Sequence, residues 1–303
     1  MRLLPTLLAL AALLPLGCDR APSSPPEAPA PVTDAQFLTA DRWNDGQAEV
    51  AFYRVQRTRN QYGEPADQQF TVGTYLVKHQ FSPTDMTKVT DGGGVSAFKY
   101  AFFYELERGS YQYKRNWVVN ARQADLRPFK QSFTSFDWCS NLYRELAFPP
   151  EGPVEVRKRS DDYGNRRTSF EPRAQSYPPA QLPLLVRALD GSVGDSLSFF
   201  VATMEGEHIP ATAVHAGRDS VTTPAGAFAA ERIQVTYDAP VPSMVGEESD
   251  TTETYWRGTG PYRRLLRLEA ESGRYQLALA EGLRSAYWEE NIWPKLEQIK
   301  ARP

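Results

Sequence analysis

The chain has 303 residues, with 34 Lys plus Arg set against 37 Asp plus Glu and a net charge of -3. This balance lacks the basic field on which nucleic-acid binding rests, so nucleic acid is not expected among the partners. Two cysteines and three histidines are too few for a disulfide framework and show no HxH, HExxH or CxxC spacing, so no metal and no cofactor is expected.

The first element is an apolar run, Leu3 to Leu16, behind the single basic residue Arg2. It falls short of the ~20 residues that span a bilayer and has the make-up of a secretory signal, assigned to residues 1–17. Gly17-Cys18 resembles the end of the bacterial lipobox, in which Cys18 becomes the lipid-modified first residue of the mature protein. Pro15 stands where that motif usually has leucine, and an ordinary cleaved signal is the alternative. The following stretch carries Pro22, Pro25, Pro26, Pro29 and Pro31. Such chain is an extended, semi-rigid spacer, so residues 18–33 read as an anchor cysteine and tether.

The remaining ~270 residues suffice for one large or two modest domains with a real core. Aromatic and β-branched residues recur at alternate positions, as in Phe98, Tyr100, Phe102 and Tyr104, and again in Tyr111, Tyr113 and Trp117. Period two predicts strands with distinct faces. The same pattern covers the segments beginning at Ala48, Gln69 and Lys130, the last predicted to run through Trp138. Turn signals at Tyr62–Pro65 and Asp91–Gly94 separate them. After a proline-rich stretch from Ser176, Leu182, Leu184, Leu185 and Leu189 predict a short central helix. Strands then resume as a meander, with hairpin turns at Pro224-Ala225-Gly226 and Ser272-Gly273. A short helix near Pro294 closes the chain. The fold class is therefore mainly β: antiparallel curved sheets or a partly open barrel, with an N-terminal β region at 34–175 and a C-terminal β-meander region at 176–303, the alternative being one continuous domain.

Chemistry-bearing residues are sparse. Cys139 would need a base to act as a nucleophile, yet His79, His208 and His215 all fall in strands or at their ends, distant in sequence. Cys139 is expected to be buried and unpaired beside Trp138. The acidic stretch Gly246 to Glu253 lacks the ligand alternation of a calcium loop and reads as a solvated loop. Carboxylate pairs such as Asp45 with Glu49, or Asp137 with Glu145, are unselective without geometry. The basic cluster Arg157 to Arg167 reads as a solvated hairpin tip and, secondarily, as a patch for phosphates or anionic headgroups. The aromatic stripes fit either a filled core or a concave sheet holding an apolar ligand.

Trp43, Asp45, Gly46, Ala48, Glu49, Tyr53, Tyr62, Gly63 and Glu64, with Trp138 and Cys139 later, resemble a family of uncharacterised bacterial lipoproteins over roughly residues 41–170. Some members carry the description of Maf-type septum-formation inhibitors, which are nucleotide pyrophosphatases. The Ser-x-Ser-Pro-Arg-Arg signature of that activity is absent, and the activity is not carried over. The resemblance implies a lipid-type export signal and a β fold, without a reaction. The expected protein is exported and anchored in the cell envelope through a lipid on Cys18, its leaflet undetermined. It is non-catalytic, and it binds an envelope protein or an apolar ligand. The alternative is a secreted hydrolase using carboxylates or Cys139.

Overall fold

The computed structural model describes residues 32–61, 64–108, 111–245 and 249–301. The leader, Cys18 and the tether up to residue 31 lie outside the described residues. The described chain opens with a one-turn helix α1 (Ala35–Thr39), capped by the Asp34 carboxylate accepting from the Phe37 N–H. It continues through β1 (Ala48–Gln61), β2 (Glu64–Ser82), β3 (Thr87–Val89), β4 (Val95–Arg108), β5 (Tyr111–Arg122), β6 (Pro128–Phe136), β7 (Asn141–Ala147), β8 (Val154–Ser160) and β9 (Arg166–Phe170). A two-residue β10 (Ser176–Tyr177) leads into helix α2 (Leu182–Ala188). The second run is β11 (Ser196–Ala202), β12 (His208–Thr223), β13 (Gly226–Pro242), β14 (Ser249–Gly258), β15 (Leu265–Ala270) and β16 (Tyr275–Ser285), followed by helix α3 (Trp293–Ala301).

All these strands belong to one sheet, in the order β10-β11-β12-β13-β14-β15-β16-β1-β2-β4-β5-β6-β7-β8-β9, with β3 paired to β2. Two sequential meanders are thus joined where the last strand returns to the first, Ala48 lying opposite Ser285 and Arg57 opposite Tyr275. Every neighbouring pair is antiparallel except β10 with β11. The sheet is mainly β, curved and not closed, as the alternation of apolar residues implied. The edge strand β9 nonetheless comes within side-chain reach of the start of β12. The Phe170 ring at the end of β9 lies 4.9 Å from the His208 ring at the start of β12, and His208 Nε2 is 3.0 Å or less from the Glu171 carbonyl, at 2.9 Å. No backbone ladder joins β9 to β12, so the seam is held by side chains.

The inner face wraps around α2, whose seven residues are all buried, Arg187 included. Seven residues are too few for a helix stable on its own. Pro183 sits in its first turn, where a missing N–H costs nothing. At its other end the exposed carbonyls have no water to turn to. Arg257 from β14 donates through Nη1 to the carbonyls of Val186 at 3.0 Å and Leu189 at 2.8 Å. Its own charge is met by Glu231 at 2.8 Å. Around this plug Phe98, Tyr100, Phe102 and Tyr104 are all buried, so that stripe is core. The proline-rich stretch therefore carries the chain into the interior of the sheet.

The outer face is largely solvated, as one face of an antiparallel sheet can be, except at its centre. There α3 lays Leu296 and Ile299 on Ala48, Val50 and Phe52 of β1. Among the described residues no helix is long and apolar enough to cross a membrane, which leaves β-strand spanning unaddressed.

Candidate functional site

The residues that carry the lipoprotein-like pattern come together as structure. Trp43 is buried, donates from its indole to the Phe37 carbonyl at 2.9 Å, and packs edge-on against Phe37, Phe98 and Tyr262. Asp45 accepts from Arg284 Nε at 3.0 Å, and Gly46 has φ 72°, a value that favours glycine. Ala48 is fully buried. Glu49 lies inside the sheet and pairs with Arg187 of α2 at 2.9 Å. Arg187 also donates to the carbonyls of Tyr262 at 2.7 Å and Arg263 at 3.2 Å. Tyr53 donates to the Leu265 carbonyl at 3.0 Å. This set locks the entry of the chain onto the plug helix and the β14–β15 loop. Tyr62 and Gly63 lie outside the described residues.

Trp138 and Cys139 correct the sequence reading. Strand β6 ends at Phe136, and Trp138 is 75% exposed, with Cys139 an exposed free thiol beside it. The cause is local: Asp137 Oδ1 accepts from the backbone N–H groups of Cys139 at 2.7 Å and Ser140 at 3.1 Å. That is an Asx turn, which ends the strand before its aromatic can reach the core.

The acidic stretch is also corrected. Residues 246–248 lie outside the described residues, but from Ser249 the chain is strand β14, and Glu253 is buried on the inner face. Its carboxylate accepts from three tyrosine hydroxyls: Tyr237 at 2.5 Å, Tyr275 at 2.6 Å, and Tyr255. Burial pushes its pKa up while the three donors pull it down, and the balance leaves it raised.

None of the carboxylate pairs weighed from sequence forms a working pair. Asp45 is held by Arg284 and Glu49 by Arg187, while Asp137 caps its own loop and Glu145 accepts from the Tyr143 hydroxyl at 2.5 Å. Among the described residues, a serine–imidazole contact joins Ser176 Oγ to His208 Nδ1 at 2.8 Å. Ser176 is buried, and the imidazole is spent on the seam described above. Among the described residues no cluster of three His, Cys, Asp or Glu is arranged for a metal ion.

His79 lies in β2, stacked 5.9 Å from the Phe81 ring. Burial first, then Lys99 and Lys88, hold its pKa down to about 4. A depressed value contributes stability that is present above the ordinary value near 6.5 and lost as pH falls through about 4. Denaturant midpoints measured across that window should fall more for the native chain than for His79→Phe. Parallel profiles would show that His79 is not the group responsible.

A concavity lies on the outer face, between the central strands and the C-terminal segment. It is a cleft of about 530 Å³, walled by Phe52, Tyr75, Phe103, Tyr287, Trp288 and Leu296. Its size falls within the roughly 300–1,000 Å³ typical of small-molecule sites. Gly73 makes its floor possible. The Phe103 ring lies across the backbone of β2 opposite Gly73, where a Cβ would come within 2.3 Å of it. The ring thus covers a glycine that would otherwise leave a gap in the sheet. Tyr75 stacks tilted at 4.9 Å on Tyr287, which meets Trp288 edge-on at 5.2 Å. Trp288 remains 52% exposed, so the aromatic surface is open to solvent. Burial raises the Tyr75 hydroxyl, and burial with its Tyr75 neighbour pushes Tyr287 to about 12, so both rings stay neutral. Sequence reasoning missed this site. Its aromatics come from β1, β2, β4 and the segment after β16, and the return of β16 to β1 brings them together.

No protein-family model matches the chain, and no curated protein matches it in sequence. Among the solved structures similar to it are the following three. One is a β-barrel-like protein of the domain of unknown function DUF1849 from Brucella abortus, at 6% identity, TM-score 0.45, covering 79% of this chain and 96% of that one. A proposed lipoprotein from Parabacteroides distasonis aligns at 12% identity and TM-score 0.23 over 77% of this chain and 95% of its own. A proposed exported protein with a YmcC-like fold from Bacteroides fragilis aligns at 10% and 0.23 over 78% and 95%. Likeness at this level bears on neither ligand nor chemistry.

Proposed function

We propose that this is a lipid-anchored protein of the bacterial cell envelope, non-catalytic, which holds an apolar ligand in the outer cleft between α3 and strands β1, β2 and β4. The export and anchoring half of the reading rests on the sequence: Arg2, the apolar run Leu3 to Leu16, Gly17-Cys18, and the prolines that follow. The ligand half is carried by one observation, an exposed cleft of about 530 Å³ walled mainly by Phe52, Tyr75, Phe103, Tyr287 and Trp288, with Glu289 and Glu290 also in its lining. The inner face is an unsuitable place for a ligand, because α2 and the core aromatics fill it.

Two measurements test the halves separately. Globomycin should accumulate the unprocessed precursor, and a Cys18→Ser chain that still incorporates labelled lipid would end the anchor. For the cleft, an apolar fluorescent probe should bind saturably. Trp288→Ala should weaken it by about tenfold or more, the share of a large aromatic contact worth about 1.4 kcal/mol. Gly73→Val, which displaces Phe103, should do the same. Native mass spectrometry finding no bound apolar molecule, together with unsaturable probe binding, would remove the ligand reading.

A further inference from the structure

Seven large hydrophobic side chains stand exposed among the described residues, and four of them, Tyr111, Phe136, Trp138 and Tyr163, lie at one rim of the sheet. Three successive hairpin connections end there: β4 to β5, β6 to β7, and β8 to β9. Each presents an aromatic: Tyr111 is 42% exposed, Trp138 75% and Tyr163 70%. The first two rings touch, with centroids 6.1 Å apart. The second and third connections are tied by the Asn141 N–H donating to the Asp161 carboxylate at 3.1 Å.

The same rim is cationic on its β8–β9 side. A cleft of about 320 Å³ is lined by Arg157, Lys158, Arg159, Asn165, Arg166 and Arg167. Glu155 engages Arg157 at 2.6 Å and Arg167 at 3.4 Å. Among the described residues Lys158, Arg159 and Arg166 are in no ion pair, and the Lys158 ammonium lies 5.3 Å from the centre of the Tyr163 ring. Asp161 and Asp162 reduce the excess at the tip but leave five cations against three carboxylates over Val154–Phe170 (Glu155, Asp161 and Asp162). Charge on β8 and β9 also protects the open sheet edge from pairing with another chain. Edge protection gives no reason for exposed aromatics on two further connections, because hydrophobic tips work against solubility.

We infer that this rim, Tyr111, Trp138 and Tyr163 with Lys158, Arg159 and Arg166, is a docking surface for an anionic phospholipid bilayer. Amphipathic rings settle at the headgroup level while cations meet lipid phosphates. The inference does not depend on Cys18 being acylated or on the outer cleft being occupied.

Cys139 supplies the probe. In a Cys18→Ser chain it is the sole thiol, and it takes an environment-sensitive fluorophore at the rim. Emission should shift to the blue with phosphatidylglycerol vesicles and not with phosphatidylcholine vesicles, and the shift should weaken as salt is raised. Reversing Lys158, Arg159 and Arg166 to Glu should weaken partitioning by about a hundredfold, each cation near an anionic surface counting for roughly fivefold. Trp138→Ser with Tyr163→Ser, at the hairpin tips, is a second variant that should lose the shift, with unchanged denaturant midpoints showing that both variants fold. Unchanged emission in phosphatidylglycerol, an equal shift in phosphatidylcholine, or a shift that survives both variants would overturn the proposal. Because this chain cannot be acylated at Cys18, such a failure would leave the anchor reading untouched.

Discussion

Arg187→Met should lower the unfolding free energy by about 3–5 kcal/mol, the usual cost of stripping one partner from a buried ion pair. The Glu49 carboxylate would stay inside the sheet with only Arg264 nearby, at 3.7 Å, and the carbonyls of Tyr262 and Arg263 would lose their donor. Both side chains of the pair are 4% exposed, so water cannot step in. Urea midpoints give the measurement. The double variant Arg187→Met with Glu49→Leu should recover much of the loss, because an apolar pair of similar volume replaces the charges at little cost. A single variant within 1 kcal/mol of the native chain, on the order of a surface substitution, would show that the pair does not hold the plug helix.

Glu253→Leu should be comparably damaging. It leaves the hydroxyls of Tyr237, Tyr255 and Tyr275 buried without an acceptor, at about 1–3 kcal/mol each. Glu253→Gln keeps an oxygen and presents an amide to the third hydroxyl, so its loss should be small near neutral pH. The two substitutions also differ in pH dependence. A carboxyl whose folded pKa is raised contributes stability that is full below its ordinary value near 4.5 and lost as pH rises through the folded value. The native chain should therefore lose ground to Glu253→Gln as pH rises above that point. Identical slopes for the two chains would mean that Glu253 does not titrate differently in the folded state.

Much of the architecture was legible because strand periodicity is a local property. The alternation at Phe98–Tyr104 identified β4 as a strand with two distinct faces, and Pro224-Ala225-Gly226 marked the turn after Thr223. The four leucines near Pro183 marked α2, but nothing local said that the sheet would curve around it. The errors have equally specific causes. Trp138 continues the aromatic habit of β6 in composition, yet Asp137 turns the backbone before it, and the side-chain acceptor overrides propensity. Glu253 stands in a run of acids that looks solvated, yet parity within β14 sends it inward with Tyr255.

Taken alone, the amino-acid order determined that this chain is mainly β, and it raised the expectation of an export signal, a lipid cysteine and a proline-rich spacer. These are readable because each depends on residues within a few positions of one another. The tertiary structure decided which face of each strand is inside, since a period of two distinguishes two faces without saying which one wraps the core. It also decided every pairing across the molecule: Glu49 with Arg187 over 138 positions, Tyr275 with Glu253 over 22, and Tyr75 with Tyr287 at the outer cleft. The Tyr275 contact comes from the β14-β15-β16 meander, whereas the Tyr75 contact at the cleft arises only when β16 comes back to β1.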